Sequence, residues 1–345
     1  MRRPPKKPTI SHLILKNKLK IAVLGGGSWA TALVKILSEN KRKVGWYIRN
    51  PINADFVKKH YHNPNYLSAA RLKTKRLEIS SDLNQVVSQA DVLVIAIPSA
   101  FLSQELEKLT ESLDDKIIFS AVKGVVPESM LIVGEHFNTK FNVPMEKIGV
   151  ILGPSHAEEI AMERLSYLTV ACMNKKLAKA IAAMLKTQYI RTTISNDIVG
   201  TEYASMLKNI YAIASGIAFG LGYGDNFQSV LISNSMGEME RFLHAIHPTE
   251  RNLTKSAYLG DLLVTAYSAF SRNRRFGTLL GRGYTVKGIQ SEMQMISEGY
   301  FALKPLHALT QNKQLSLPIF STVYEIVHES LPAKKGFKRL TKKLV

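Results

Sequence analysis

Residues 20–33, "KIAVLGGGSWATAL", decide the fold. Lys20–Gly25 reads as a short apolar strand, and Ser28 onward reads as a helix. Between them stand Gly25, Gly26 and Gly27. The spacing is G-x-G-x-x-A, with Gly25 for the tight turn, Gly27 for close backbone approach and Ala30 for helix-on-strand packing. A helix N-terminus directly after such a turn presents free N–H groups and partial positive charge, which suits the pyrophosphate of a dinucleotide.

The first half of the chain repeats this alternation. β-rich runs appear at 43–49 "KVGWYIR", 91–98 "DVLVIAIP", 116–124 "KIIFSAVKG", 148–154 "IGVILGP" and 166–173 "SYLTVACM". Near-continuous apolar strands joined by amphipathic segments imply a mostly parallel sheet with helices on both faces. Past residue 198 such runs stop, and Ala-, Leu- and Met-containing stretches follow, as in 201–220 "TEYASMLKNIYAIASGIAFG". The expected fold class is therefore α/β: an N-terminal Rossmann-type, mostly parallel sheet plus a C-terminal all-helical domain. The expected division is a basic tail over 1–19, a dinucleotide-binding domain over 20–198 and a helical substrate domain over 199–345.

Composition bounds the function. The 345 residues carry 46 Lys and Arg against 27 Asp and Glu, a net charge of +19, so anionic partners are favoured. Part of that excess is terminal, in "RRPPKK" (2–7) and "KKGFKRLTKK" (334–343). No aromatic–basic interleaving of the single-strand-binding kind is present, so no nucleic-acid partner is expected. The apolar part of the first twenty residues is only "HLIL", too short for a signal peptide, and no run is long enough for stable membrane insertion. The single cysteine, Cys172, lies in an apolar run and reads as core, in a reducing compartment. A cytoplasmic location is expected.

The second strand ends "WYIRN" (46–50). A carboxylate there would hold a ribose 2′-hydroxyl; Arg49 instead suits a 2′-phosphate, which favours NADP over NAD. Strand ends face the ligand crevice in such sheets, which brings Lys123, Gly153 and Ser155 toward it. Two charges stand alone in apolar surroundings. Lys208 is the only charged residue between Glu202 and Asp225, and Asp261 the only one between Lys255 and Arg272. On a helix, Met206, Ile210, Ile213 and Ile217 make an apolar stripe, and Lys208 falls on the opposite side, among Thr201, Ala204, Ala212 and Ser215. A lysine without a neighbouring charge there lines a cavity, where desolvation would make it a usable proton donor and acceptor. Asp261 is its obvious partner, since a buried carboxylate needs one. Asn209, next to Lys208, could orient a ligand. Arg272, Arg274 and Arg275 around Asn273 in "SRNRRFG" (271–277) suit a phosphate.

Taken in order, the G-x-G-x-x-A turn, "VKG" (122–124), "GPS-x-A-x-E" (153–159), "LKN" (207–209), "LGDL" (259–262), "SRNRRFG" (271–277) and "SEGY" (297–300) resemble the bacterial-type NAD(P)-dependent glycerol-3-phosphate dehydrogenases, from about Lys20 to the helices near 330. The resemblance implies reversible hydride transfer between NAD(P)H and dihydroxyacetone phosphate, supplying sn-glycerol 3-phosphate for phospholipid synthesis. It implies Lys208 as general acid/base at the C2 oxygen, Lys123 in contact with substrate and cofactor, and Asp261 holding Lys208 and substrate. Ser271, Arg272 and Asn273 would take substrate phosphate and hydroxyls, with Arg272 also touching the cofactor. Ser28, Trp29 and Arg49 would bind cofactor. Gly153, Ser155 and Ala157 would line the crevice, Ala157 also toward the cofactor, and Ile296 and Glu298 would close over the cofactor. No metal is needed, and a homodimer is compatible with the pattern.

The chain departs from the family pattern at Ala30, at His156 (usually aromatic), at Glu158 (usually lysine), near Ser233–Ser235, where an arginine is usual, and in "SEG" for the commoner "VEG". Two rivals remain on sequence grounds: another two-domain hydroxyacid or ketoacid dehydrogenase, and a catalytically silent NADP-binding module.

Overall fold

Buried apolar runs set the strands. β1 (Ile21–Leu24) and β4 (Val92–Ile95) are buried along their whole length, as expected of central strands covered on both faces. The computed structural model describes residues 19–40, 42–293 and 297–345. The basic tail up to residue 18 and Ile296 therefore lie outside the described residues. The remaining strands are β2 (Val44–Tyr47), β3 (Leu77–Ser80), β5 (Ile117–Ser120), β6 (Val125–Val126), β7 (Leu131–Ile132), β8 (Ile148–Leu152), β9 (Ser166–Cys172) and β10 (Ile190–Ser195).

Eight of them form one sheet in the order β10-β9-β8-β5-β4-β1-β2-β3, while β6 and β7 form a separate antiparallel pair. Within the large sheet every pairing is parallel except β8 with β9, which run antiparallel with Ile151 opposite Val170. β3 and β10 have no counterpart in the sequence reading. Both are edge strands with polar, largely uncovered residues, so neither shows the apolar run that marks a central strand. Cys172 is buried in β9, and burial pushes its thiol up to about 11, so it is an inert core residue.

The strand order reverses at β1, which lies between β2 and β4. In open α/β sheets the ligand crevice opens at this point, beyond the carboxyl ends of the strands. Gly25 ends β1 there with φ +133°, and a Cβ on it would sit 2.5 Å from the Ala96 carbonyl oxygen after β4. Only glycine fits between the two strand ends.

Beyond β10 the chain is helical. The helix Ile198–Gly220 is buried on nearly every face, Met206, Ile210, Ile213 and Ile217 included, so it is the axis of the second core. Around it lie the helices Asp225–Ile246, Arg272–Gly281, Glu298–Asn312 and Pro318–His328. The Arg272–Gly281 helix packs against this axis backbone to backbone. A Cβ on Gly277 would meet the Ile213 carbonyl oxygen at 2.0 Å, one on Gly216 the Arg274 oxygen at 2.1 Å, and one on Gly281 the Ile217 oxygen at 2.4 Å. The absence of these side chains lets residues 271–273 come within reach of residues 208–209. Among the described residues no helix is long and apolar enough to cross a membrane.

Gly277→Ala should therefore push the two helices apart and cost about 1–3 kcal/mol of folding free energy. Urea unfolding followed by circular dichroism measures this; an unchanged midpoint would contradict the close contact.

Candidate active site

A cleft with about 100 Å³ of free space opens between the carboxyl edge of the sheet and the helical half. Its sheet side begins at the glycine turn. Trp46 Nε1–H donates to the Gly25 carbonyl at 2.7 Å, and Asn63 Nδ2 donates to the Gly26 carbonyl at 3.0 Å and to Thr31 Oγ1 at 2.8 Å. These bonds hold the loop in shape from behind. Its front is open: a Cβ on Gly27 would meet nothing within 4 Å, and Gly27 gives the following helix no side-chain cap. The first-turn N–H groups are thus left for a ligand. Ala30 is fully buried beneath them, and Ser28 and Trp29 line the cleft, with the Trp29 indole N–H buried and without a partner. The turn is an uncapped glycine cradle with its first-turn N–H groups open to an anion.

Arg49 stands at the end of β2, exposed, with its guanidinium 3.7 Å from the buried Glu105 carboxylate. Glu105 also accepts from the Tyr47 hydroxyl and from Lys108 at 3.0 Å. Glu105 thus tethers an otherwise free guanidinium beside the turn, a contact with no sequence signal. Lys123 follows β5 and lines the cleft half-buried. Gly153 follows β8 with φ +134°, where a Cβ would sit 2.8 Å from the Tyr167 carbonyl oxygen. The Ser155 hydroxyl donates to the Gly153 carbonyl at 3.1 Å, and Ser155, His156 and Ala157 continue the cleft wall.

The helical half contributes a buried ion pair. Lys208 is 3% and Asp261 1% exposed, and the Lys208 ammonium donates to Asp261 Oδ1 and, at 3.0 Å, to Thr265 Oγ1. Thr265 is one helical turn past Asp261 and donates its own hydroxyl proton to the Asp261 carbonyl at 2.6 Å. Burial holds the Lys208 pKa below the ordinary lysine range. The neighbouring Lys123 pushes the same way, and Asp261 opposes both. Asp261 Oδ2 is buried with no partner, so the carboxylate keeps one acceptor free at the cleft.

Asp261 is delivered by a π-helical turn, Ser256–Gly260, a rare geometry that shifts the register of the chain. A buried cluster anchors that turn. Tyr258 donates to Asp197 Oδ2 at 2.5 Å, and Arg251 grips the same carboxylate at 2.6 and 3.1 Å. Asp197 in turn caps the Ile198–Gly220 helix through the Gly200 N–H at 3.0 Å. One carboxylate thereby sets the helix that carries Lys208 against the turn that carries Asp261. The spacing of Asp197, Arg251 and Tyr258 in the chain forms no pattern from which this cluster could be read.

Beside Lys208, Asn209 donates to Glu298 at 3.3 Å and accepts from Asn273 Nδ2 at 3.0 Å, while Asn273 Oδ1 accepts from the Gly299 N–H at 2.9 Å. Ser271 caps the ten-residue helix Arg272–Gly281 by accepting from the Arg274 N–H at 3.2 Å. Of the three arginines read as a cluster, only Arg272 lines the cleft. Arg274 lies 4.8 Å over the Phe219 ring, and Arg275 is directed to Glu292 at 4.0 Å. The helical period explains Arg274, which lies about 200° around the axis from Arg272; Arg275, three residues on, shares the face of Arg272 but is directed to Glu292.

A phosphate cradle on a doubly wound sheet, faced across a cleft by a buried ammonium, is the plan of a nicotinamide-dependent oxidoreductase. Comparison with known proteins makes this more particular. The family model for the NAD-dependent glycerol-3-phosphate dehydrogenase N-terminus matches residues 20–178, and that for the C-terminus matches residues 197–338. A curated protein of Staphylococcus epidermidis named glycerol-3-phosphate dehydrogenase, NAD(P)+, is 32% identical over 323 residues, covering 93% of this chain and 97% of that protein. One from Oceanobacillus iheyensis is 32% identical over 93% of each chain. The crystal structure of glycerol-3-phosphate dehydrogenase from Coxiella burnetii superposes with a TM-score of 0.87 at 30% identity, covering 94% of this chain and 99% of that one. A D-mandelate dehydrogenase, at 15% identity and a TM-score of 0.58, shares the fold alone. The chain belongs to the NAD-dependent glycerol-3-phosphate dehydrogenase family.

Because Asp261 raises the Lys208 pKa, Asp261→Asn should move the Lys208 titration to lower pH. Heteronuclear NMR of ¹³C-labelled lysine side chains reads this directly. A titration that stays in place or moves to higher pH would contradict the pairing.

Proposed function

We propose that this protein interconverts sn-glycerol 3-phosphate and dihydroxyacetone phosphate with NAD(P) as cofactor, with residues 20–198 as the cofactor domain and 199–345 as the substrate domain. The observation that carries the reading is the buried Lys208–Asp261 pair, opening into the cleft that also holds the Gly27 cradle and Arg272. When bound, the nicotinamide accepts a hydride from C2 of the alcohol or supplies one to C2 of the ketone.

The chain's own groups handle the charge and the proton. In the reducing direction negative charge grows on the C2 oxygen; the Lys208 ammonium stabilises it and then donates its proton there. In the oxidising direction the C2–H and O–H bonds break as the carbonyl forms, and the hydroxyl proton passes to the neutral Lys208 amine. Its lowered pKa keeps the amine accessible for this return step. Asp261 Oδ1 and Thr265 aim Nζ. The substrate phosphate would sit at the N-terminus of the Arg272–Gly281 helix, near Ser271, Arg272 and Asn273, with Lys123 across the cleft. Ser28, Trp29, Ala157, Glu298 and the Gly25–Gly27 turn would hold the cofactor, and Arg49 would pair with a 2′-phosphate. Gly153 and Ser155 would shape the wall beside the substrate.

Arg272 and Lys123 in the wall of one cleft favour this reading over a phosphate-free hydroxyacid, and the Lys208–Asp261–Thr265 arrangement favours it over a silent binding module. The proposal extends to a cytoplasmic enzyme supplying glycerol phosphate to phospholipid synthesis, supported by the family.

Lys208→Ala should lower turnover by roughly 10²–10⁴-fold while reduced cofactor still binds, as read by absorbance and by fluorescence titration. Near-normal turnover would remove Lys208 from the proton step. Arg49→Ala should weaken NADPH by about tenfold more than NADH. Equal losses would sink the 2′-phosphate contact.

A further inference from the structure

Three side chains converge on a buried carboxylate beyond the carboxyl end of β2. Glu105, near the end of the helix Ser99–Leu106, is 3% exposed. Its Oε1 accepts from the Tyr47 hydroxyl, and its two oxygens accept from the Lys108 ammonium at 3.0 and 3.1 Å. Oε2 also faces the Arg49 guanidinium at 3.7 Å, too long for a hydrogen bond. The Arg49 side chain is 65% exposed and that of Lys108 54%. Asn84 fixes the chain at Lys108: its Nδ2 donates to the Lys108 carbonyl at 3.0 Å, and its Oδ1 accepts from the Thr110 N–H at 2.7 Å. Asn84 stands in the first turn of the helix Leu83–Gln89, which follows β3, the strand beside β2. Lys108 is thus brought to the same corner of the sheet as Arg49.

The donors at this corner outnumber what Glu105 can take. An ammonium has three N–H groups, and Lys108 spends two on Glu105. A guanidinium has five, and none of those of Arg49 reaches Glu105 within hydrogen-bond distance. Both cations face the same oxygen, Oε2, at 3.1 and 3.7 Å, close enough for two oxygens of one phosphate to meet both. Exposed ion pairs of this kind add little to folding stability, so the second cation is not explained by the fold. The other carboxylate acting on Tyr47, that of Asp82, is turned to the N-terminus of the helix Leu83–Gln89, where it accepts from the Gln85 N–H at 3.1 Å.

We propose that Lys108 is the second cation of the cofactor's 2′-phosphate site: its remaining N–H and the Arg49 guanidinium close on one phosphate and together set a preference for NADP over NAD. The inference rests on the 2′-phosphate role read for Arg49 above. Glu105 is the fixed post of this clamp. It holds both cations at one corner, and with Tyr47 and Lys108 on its oxygens it offers no open acceptor to a ribose 2′-hydroxyl.

The test is calorimetric titration with adenosine 2′,5′-bisphosphate and adenosine 5′-monophosphate, which differ only in the 2′-phosphate, so that no turnover enters. Wild type, Lys108→Ala, Lys108→Arg and Arg49→Ala are compared. The wild type should prefer the bisphosphate. Lys108→Ala should weaken the bisphosphate about five- to tenfold more than the monophosphate, the worth of one charge-assisted hydrogen bond at an exposed site. Lys108→Arg, still cationic, should keep most of the preference. In wild type saturated with NADP, the ³¹P resonance of the 2′-phosphate should titrate at lower pH than in free NADP, because two cations favour the dianion. Lys108→Ala should move that titration part of the way back up. Equal weakening of both probes by Lys108→Ala, or a ³¹P titration that Lys108→Ala leaves in place, would overturn the proposal. A wild type without preference, or an Arg49→Ala variant that keeps it in full, refutes the 2′-phosphate reading itself. Selectivity lost in Arg49→Ala but kept in Lys108→Ala refutes only the role of Lys108.

Discussion

A lysine ammonium taken almost wholly out of water is the constraint around which the helical half is organised. Desolvating such a charge costs several kcal/mol, and the cost is offset only by good geometry with a counter-charge and further hydrogen bonds. Lys208 has both, in Asp261 and Thr265. Each partner needs its own support. Asp261 depends on a π-helical turn, that turn on Tyr258, and Tyr258 on Asp197, which also caps the helix bearing Lys208. The loop closes on itself: the two ends of the ion pair are tied through a second buried carboxylate, itself held by Arg251.

The glycine contacts serve the same geometry at longer range. Helices in backbone contact have no side chains at the crossing to repack, so the positions of residues 208–209 relative to 271–273 are fixed tightly. The Asn209–Asn273–Gly299 hydrogen bonds then lock the third helix into register. On the sheet side Gly25, wedged against Ala96, fixes where the glycine turn opens toward the cleft. The two halves of the chemistry are thereby held by backbone, with side chains left to meet ligands.

Much of this was legible in the sequence, for identifiable reasons. The glycine turn shows because only glycine tolerates the required φ and approach. The central strands show because burial on both faces forces apolar runs. The Lys208–Asp261 pairing shows because two charges isolated in apolar sequence need each other. What stayed hidden lacks such local signatures. β3 and β10 are polar edge strands. The tie between Asp197 and Arg251 spans 54 residues of chain. Arg274 looked like a ligand because sequence adjacency conceals the helical period, and Arg275 because its tie to Glu292 lies outside the motif. His156 showed only as a departure from a pattern; its unpartnered Nε2 exists only in three dimensions.

In the proposed reaction a proton-carrying lysine and a phosphate-reading helix terminus act on one three-carbon substrate beside a nicotinamide. Its most direct test is the absorbance of reduced cofactor after dihydroxyacetone phosphate is added to the purified protein, with NADPH and NADH run in parallel. Saturable oxidation is expected, one cofactor per substrate, with sn-glycerol 3-phosphate as product. Demonstrated binding of reduced cofactor without any oxidation would contradict it.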